Sequence, residues 1–223
     1  MPIIVTPVYG SSAASNVLSK AAAIYETSAR ASNLNILIPT ERLAGDLIVV
    51  FTMTYATVNT PAGWTLATSN SQGNTIINVF TKVSAGNETS LNLTMGNADM
   101  HTAVCMVFSS NAVYSKAAYF TGGSGPISSV PVPAVSAVPA GSYIVGLLHG
   151  YGSASSGGFT WPAGITEFAD RWSTTDDTFG NYNHTGFAAK FQVAEGAHGP
   201  WSVTATEAAY YTAATVVFAP NLQ

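Results

Sequence analysis

The sequence predicts an all-β protein, a jelly-roll-like antiparallel β-sandwich built from two pseudo-twofold related repeats. Two observations lead to this prediction. Several apolar segments are rich in β-branched and aromatic residues and are bounded by turn residues, as strands are. The chain also repeats itself, because Ala-Gly-Asp-Leu-Ile-Val at 44–49 returns as Ala-Gly-Ser-Tyr-Ile-Val at 140–145, and Pro-Ala-Gly-Trp-Thr at 61–65 returns as Pro-Ala-Gly-Ile-Thr at 162–166.

The repeat keeps its order along the chain, and 101–108 matches 211–218 near its end. Because the spacing between matched pieces grows, the second copy carries insertions, which loops tolerate and strands do not. Two copies that each bury one apolar sheet face against the other predict one sandwich domain. Its expected parts are a domain at 33–223, with repeat one at 44–113, a connector at 114–139 and repeat two at 140–222.

Residues 1–32 are predicted to form an extended N-terminal arm or the first strands. Residues 17–30 fit a helix by their Ala, Lys and Glu content and a strand at Ile24-Tyr25-Glu26-Thr27, and both readings stay open. A strand at 35–38 ends at Pro39. The further predicted strands are 47–55, 75–83, 90–95 and 102–109 in the first copy, and 143–148, 186–193, 202–206 and 212–218 in the second.

The connector contains three prolines between 131 and 139, which exclude a helix and a central strand. It is therefore expected to be an extended connector or an edge segment. The loop at 57–60 is short, whereas the Gly- and Ser-rich stretch at 150–158 predicts a longer surface loop.

The composition limits the classes of function. Only 8% of the residues are charged, against about a quarter in ordinary proteins, so the surface is neutral and suited to packing against other proteins or copies of itself. The Lys and Arg residues are scattered, and nucleic-acid binding is not expected. No apolar run reaches the roughly 18 residues that cross a bilayer, and no membrane partner is expected.

Cys105 lies in an apolar strand and is the single cysteine, so it is predicted to be a small core residue. No basic residue precedes Lys20, and a secretory signal is not expected. Folding in a reducing cytoplasm is expected. Trp64, after Pro-Ala-Gly, is predicted to plug one end of the sandwich, and Lys82 and Lys190 are predicted to guard strand edges.

A pattern in the first copy resembles one that recurs in structural proteins of tailed bacteriophages. Its parts are 44–49, 61–65 and 79–83 ahead of Gly86, followed by an Ala- and Val-rich strand. The second copy is looser, with Ile165 in place of the tryptophan, and the resemblance covers about residues 33–220. It implies a β-sandwich on the virion, as in capsid decoration or cement proteins, head fibres and tail-fibre modules.

The resemblance implies a non-enzymatic decoration or cement protein that stabilises the head through subunit contacts. The expected partners are the major capsid protein and copies of itself, in a homo-oligomer such as a trimer. The expected location is the outer surface of the virion, after synthesis in the host bacterial cytoplasm. The alternative is a tail-fibre or receptor-binding module that recognises host surface glycans.

Catalytic and metal residues are not predicted, and no cofactor is expected. The four histidines have no metal-ligand spacing. His101 is expected at the start of a strand, and His149 and His184 are expected at a strand end and in a loop, where they bond locally. No nucleophile elbow or phosphate-binding loop occurs.

The best candidate binding site in the sequence is the segment 161–184, where aromatic residues alternate with carboxylates. Aromatic rings stack on the C–H faces of sugars, while acidic groups bind their hydroxyls, which is typical of a glycan groove. The other interpretation is that the aromatic residues belong to the core and the acidic run is a solvated hairpin tip. The candidate glycan or partner contacts are Trp161, Trp172, Asp170, Asp176, Asp177 and Tyr182.

Overall fold

A computed structural model describes residues 16–26, 31–72, 75–122, 125–153, 157–172 and 182–221. The chain is all-β with antiparallel sheets and 70% of it in strands, which confirms the predicted all-β class. Within the described ranges, no helix is long and apolar enough to cross a membrane. The strands are β1 (Ser19–Glu26), β2 (Ala31–Leu37), β3 (Leu47–Thr54), β4 (Thr65–Gln72), β5 (Thr75–Val83), β6 (Ser90–Asp99), β7 (Thr102–Phe108), β8 (Ala112–Thr121), β9 (Ile127–Val132), β10 (Val135–Val138), β11 (Ser142–Gly152), β12 (Phe159–Thr160), β13 (Thr166–Trp172), β14 (Tyr182–Gln192), β15 (Gly196–His198) and β16 (Trp201–Pro220).

Two large sheets form the centre of the molecule. The first has the order β1-β7-β3-β5-β4, and the second contains β16-β11-β14-β13 with β8 and β9 also paired to β16. The C-terminal part of β16 pairs with β8 and β11, so the second sheet reads β8-β16-β11-β14-β13. Each strand of the first sheet therefore has a counterpart at the same place in the second.

Three apolar cores are stacked through the molecule, because the central strands are buried on both faces. Along β3, Val49 and Phe51 point into the central core between the large sheets, while Ile48 and Val50 point to the opposite face. The first outer core lies between the first sheet and the β2–β6 pair. The second outer core covers the other sheet with β9, β10, β12 and the start of β16.

This layering differs from the predicted sandwich with one core. The two large sheets pack against each other through the central core. However, all eight residues of β3 are buried. A strand without a polar face must be covered on both sides, so each large sheet needs an additional layer.

The segment predicted as the connector contains β8, β9 and β10. Pro131 lies in β9 opposite Ser202 of β16, and β16 is the single partner of β9 among the described strands. A proline is tolerated there because one edge of the strand needs no ladder hydrogen bonds. The two strands predicted at 202–206 and 212–218 are instead joined in β16.

Strand β1 belongs to the first large sheet. Of the helix and the strand that residues 17–30 could form, the strand is therefore the one observed. It pairs antiparallel with β7, and Ala21, Ala22 and Ala23 are buried. Residues 1–15 lie outside the described residues, and the arm interpretation can refer to them alone.

Trp64 is partly buried and packs against the first outer core, in agreement with the predicted plug. Lys82 and Lys190 lie on interior strands, β5 and β14, one residue beyond the ends of the ladders with β4 and β13, so each is paired on one side. Lys82 forms an ion pair with Glu88, with 3.3 Å between Nζ and Oε1.

Cys105 is fully buried, as predicted. Burial raises the pKa of its thiol to about 12, although the positive charge of Arg42 opposes this shift. Because the thiolate is the reactive form, we expect no labelling of the folded protein by a disulfide exchange reagent at neutral pH and complete labelling in denaturant. Rapid labelling without denaturant would show that β7 opens readily.

Candidate functional site

The two ends of the molecule differ in chemistry. At one end, Asn111 holds both ends of the described chain: its Nδ2 donates to the Asn16 carbonyl (3.0 Å), and its carbonyl accepts from the Asn221 N–H (2.7 Å). The chain of one half also bonds to the other here, from Val17 N–H to the Gly141 carbonyl (2.9 Å). We call this the Asn111 end. The opposite end contains His101, His149 and His184, and we call it the histidine end.

The interface between the large sheets changes from apolar to polar towards the histidine end. On the second sheet, the face that carries Leu147 and Phe187 continues with His149 and Thr185. On the first sheet, Thr102 precedes the core residues of β7. Thr185 Oγ1 donates to Thr102 Oγ1 across the interface (3.3 Å), so the two sheets are joined here by hydroxyl groups.

His149 lies in this polar part and is fully buried. Its Nδ1 is 3.2 Å from Thr185 Oγ1, and its ring centroid is 5.2 Å from that of Tyr55. Its Nε2 has no hydrogen-bond partner among the described residues. Burial, followed by the charges that His184 and His101 would carry, lowers the pKa of His149 to about 3. The imidazole is therefore neutral at neutral pH.

The other two histidines of this end belong to the outer layers. His184 Nδ1 is 3.1 Å from the Tyr211 hydroxyl, and Tyr211 is part of the second outer core. His101 immediately precedes β7 and bonds to the backbone of Asn97 and Ala31, in the strands that cover the first sheet. Burial lowers the pKa of His101, against the opposing effect of these bonds and of Asp99. Each of the three cores thus ends in one buried histidine.

The predicted positions of His149 and His184 are wrong. Both lie inside strands, β11 and β14, and are fully buried. The adjacent glycines resemble a turn, but they are required by packing: a Cβ at Gly150 would lie 2.4 Å from Cδ1 of Tyr211, and one at Gly152 would lie 2.9 Å from Cβ of Ala209. Glycine within a strand marks such close approaches, and this was the signal that sequence reasoning missed.

The histidine end does not have the geometry of an open catalytic site. His149 with Thr185 places a base beside a hydroxyl, but both side chains are almost completely buried. A general base must reach the proton that it removes from a substrate. Within the described ranges, no three His, Cys, Asp or Glu side chains are grouped to hold a metal ion.

The sequence-predicted contact residues have different roles. Trp161 is partly buried against the second outer core, with its ring 5.9 Å from Trp201. Asp170 is exposed, and its Oδ2 accepts from the Phe159 N–H (2.8 Å), which joins β12 to β13. The surroundings of Trp161 agree with the core interpretation. Of the remaining candidates, Tyr182 opens β14, Trp172 ends β13, and Asp176 and Asp177 lie outside the described residues.

A tyrosine cluster at the histidine end was not predicted. Tyr151 and Tyr210 are cross-strand neighbours whose rings stack, with centroids 5.2 Å apart and planes 15° apart. Tyr55 packs edge-on against Tyr151 at 5.8 Å. Tyr210 is 40% exposed, so one ring of the cluster is available to solvent.

The Asn111 end has exposed apolar side chains next to paired charges. Lys20 Nζ lies 2.7 Å from Asp46 Oδ2, and Arg42 and Lys82 both face Glu88. Hydrogen bonds to Glu88 outweigh its burial and lower its pKa to about 2, so the pairs persist at neutral pH. The exposed apolar residues of this end are Leu18, Leu43, Val83, Val113 and Val193.

Comparisons with protein-family models, with curated proteins and with solved structures found no match for this chain.

Proposed function

We propose that this chain is a structural protein of a tailed-bacteriophage virion, a capsid decoration or cement protein that binds the head through its Asn111 end. The proposal starts from the resemblance in the sequence and from the low charge of the chain. The observation that carries it is the surface of the Asn111 end, where apolar side chains are exposed beside the Lys20–Asp46 and Lys82–Glu88 ion pairs.

Such a surface is suited to contact with another protein. A partner that covers exposed apolar groups lowers the free energy of the complex. Burial of an unpaired charge at the same surface would raise it. Leu43 and Val83 are 64% and 66% exposed at this end. Residues 1–15 continue from the same end, because the described chain begins at Asn16 beside Asn111. They would act as the arm that reaches neighbouring subunits.

The equal strand order of the two large sheets supports the proposed duplication. β8 pairs with the C-terminal part of β16 as β1 pairs with β7. β9 pairs with the first part of β16 as β2 pairs with β6. On this pairing, β8 and β9 are the counterparts of β1 and β2. On this basis the first repeat also includes β1 and β2, and the second also includes β8 and β9, which precede the sequence matches that start at 44 and 140. We propose that the molecule is a tandem of two jelly-roll-like sandwiches, packed face to face.

A second candidate function is recognition of host surface glycans by a tail-fibre or receptor-binding module. The stacked Tyr151–Tyr210 pair favours it, because an exposed tyrosine ring offers a face to a sugar. This pair lies at the end opposite Asn111, where a virion-bound module would present its binding surface.

Cosedimentation with undecorated capsids and with host cell envelopes tests these functions. The variant L43D/V83D places charges at the Asn111 end on exposed positions, and Y210S is its matched control at the histidine end. We expect saturable capsid binding that L43D/V83D weakens by about tenfold or more and that Y210S leaves unchanged.

Two results would contradict the decoration function. Absence of capsid binding by the full chain would overturn it. Envelope binding that free sugar competes away, and that Y210S but not L43D/V83D removes, would establish glycan recognition instead.

A further inference from the structure

We propose that the histidine end of the interface between the large sheets is a pH switch, in which protonation of His149 separates the two sheets at that end. The switch consists of His149 and Thr185 on the second sheet and Thr102 on the first. It is independent of the partner that the protein binds.

The hydrogen bonds determine where the additional proton goes. The hydroxyl of Thr185 has one hydrogen, which it donates to Thr102, so it accepts from Nδ1–H of His149. Nε2 of His149 then carries the lone pair, and no described residue bonds to it. Protonation at Nε2 creates a buried cation whose new N–H group has no described hydrogen-bond acceptor, which is costly in a low-dielectric interior.

Among the described residues, no carboxylate is one of the groups that shift the pKa of His149. The ionisable groups that act on His149 are His184 and His101, and both oppose its positive charge. Asp99 acts on His101, and Asp170 and Glu207 act on Tyr211. The hydroxyls of Tyr55, Thr102, Thr185 and Thr212 also lie around His149, and the cation Arg171 is in register with Thr185. Glu167 of β13 and Lys190 of β14 lie towards the Asn111 end, in register with Ala188 and Ile144.

The described contacts between the sheets at this end include the Thr185–Thr102 hydrogen bond and the Tyr55 ring, which lies 5.2 Å from the His149 ring and 5.8 Å from the Tyr151 ring. Besides the Thr185–Thr102 bond, the Tyr55 hydroxyl donates to the Gly150 carbonyl across the two halves at 3.2 Å. Towards the Asn111 end, the same interface is held by aromatic rings, with Phe108 and Phe218 stacked at 4.7 Å. Apolar contacts do not titrate, so acid should open the histidine end while the other end stays packed.

The size of the effect follows from linkage. In the open form His149 has its ordinary pKa of about 6.5, and in the closed form it stays neutral to far lower pH. Below about pH 6.5 the ratio of open to closed molecules therefore rises about tenfold per pH unit, and it is about a hundredfold higher at pH 4.5. The closed form is favoured above about pH 6.5.

Hydrogen exchange of the full chain, followed by mass spectrometry and corrected for intrinsic rates, tests the switch between about pH 7.5 and 4.5. We expect about a hundredfold faster exchange in peptides from the end of β11 and the start of β14. Peptides from the end of β7 and the start of β11 should stay protected. No acceleration, or equal acceleration at both ends, would overturn the proposal.

The variant H149Q removes the titrating group, and H198Q is the control. His198 is also buried, with its pKa lowered to about 4 by burial and by Lys190, but it packs on Trp201 in the second outer core. H149Q should lose most of the acid response, and H198Q should keep it. An unchanged response in H149Q would contradict the proposed role of His149.

A crosslink tests the switch without removing any histidine. In T102C/T185C the new thiols replace hydroxyls that are 3.3 Å apart on the two sheets. The oxidised protein should keep the histidine end protected at about pH 4.5, and the reduced protein should open. Equal opening in the oxidised and reduced forms would show that the sheets do not separate there.

Discussion

Deletion of residues 1–26 is expected to prevent folding, because it removes β1 from the first large sheet. Seven residues of β1 are in register with β7, and Val17 and Ala21–Ala23 are buried. The free energy of unfolding falls by about 1 kcal/mol for each ladder hydrogen bond that is lost and by about 0.8 kcal/mol for each buried methylene group. This sum approaches the stability of a whole domain, about 5–15 kcal/mol. Circular dichroism and thermal unfolding of the purified variant provide the measurement.

Deletion of residues 1–15 is the matched control and should leave the fold and its melting temperature nearly unchanged. It retains Asn16, whose carbonyl accepts from Asn111, and all of β1. The same variant separates folding from assembly, because we expect it to lose capsid binding. Folding of the 1–26 deletion with unchanged stability would show that β1 is dispensable.

The substitution F51A is expected to destabilise the protein by about 3–5 kcal/mol, the usual cost of removing a buried aromatic side chain. Phe51 is fully buried in the central core, and its ring contacts Phe187 at 5.9 Å and Phe218 at 6.0 Å. The last two rings belong to the second half of the chain. The cavity would therefore lie between the two halves, where neither sheet can close it alone. Urea unfolding at neutral pH measures the change.

Two variants calibrate this prediction. F51L fills part of the space and should cost less than F51A. L66A removes an apolar side chain that is 42% exposed and should have a small effect. If F51A lowers the free energy of unfolding no more than L66A does, the stability of the two halves does not depend on the central core.

Most of the strands could be predicted because their signals are local. The apolar run at 47–51 indicates a buried strand by itself, and the structure places it in β3. The matched motifs at 61–65 and 162–166 precede β4 and β13, which occupy equivalent places in the two sheets.

The histidine end could not be predicted, because its residues are far apart in the chain. Nothing near Gly150 in the sequence indicates that Tyr211 packs against this position, so the glycine was interpreted as part of a loop. The same applies to Tyr151 and Tyr210, which become neighbours through the register of β11 with β16.

The sequence by itself determined the all-β class, the positions of most strands and the burial of Cys105, since periodicity and turn residues act over a few neighbours. The tertiary structure alone decided the number of layers and the surroundings of His149. A strand pattern tells which side chains point to the same face, but not what covers that face. For β11 and β14 the cover comes from strands distant in the chain, and for that reason the strand positions of His149 and His184 are fully buried.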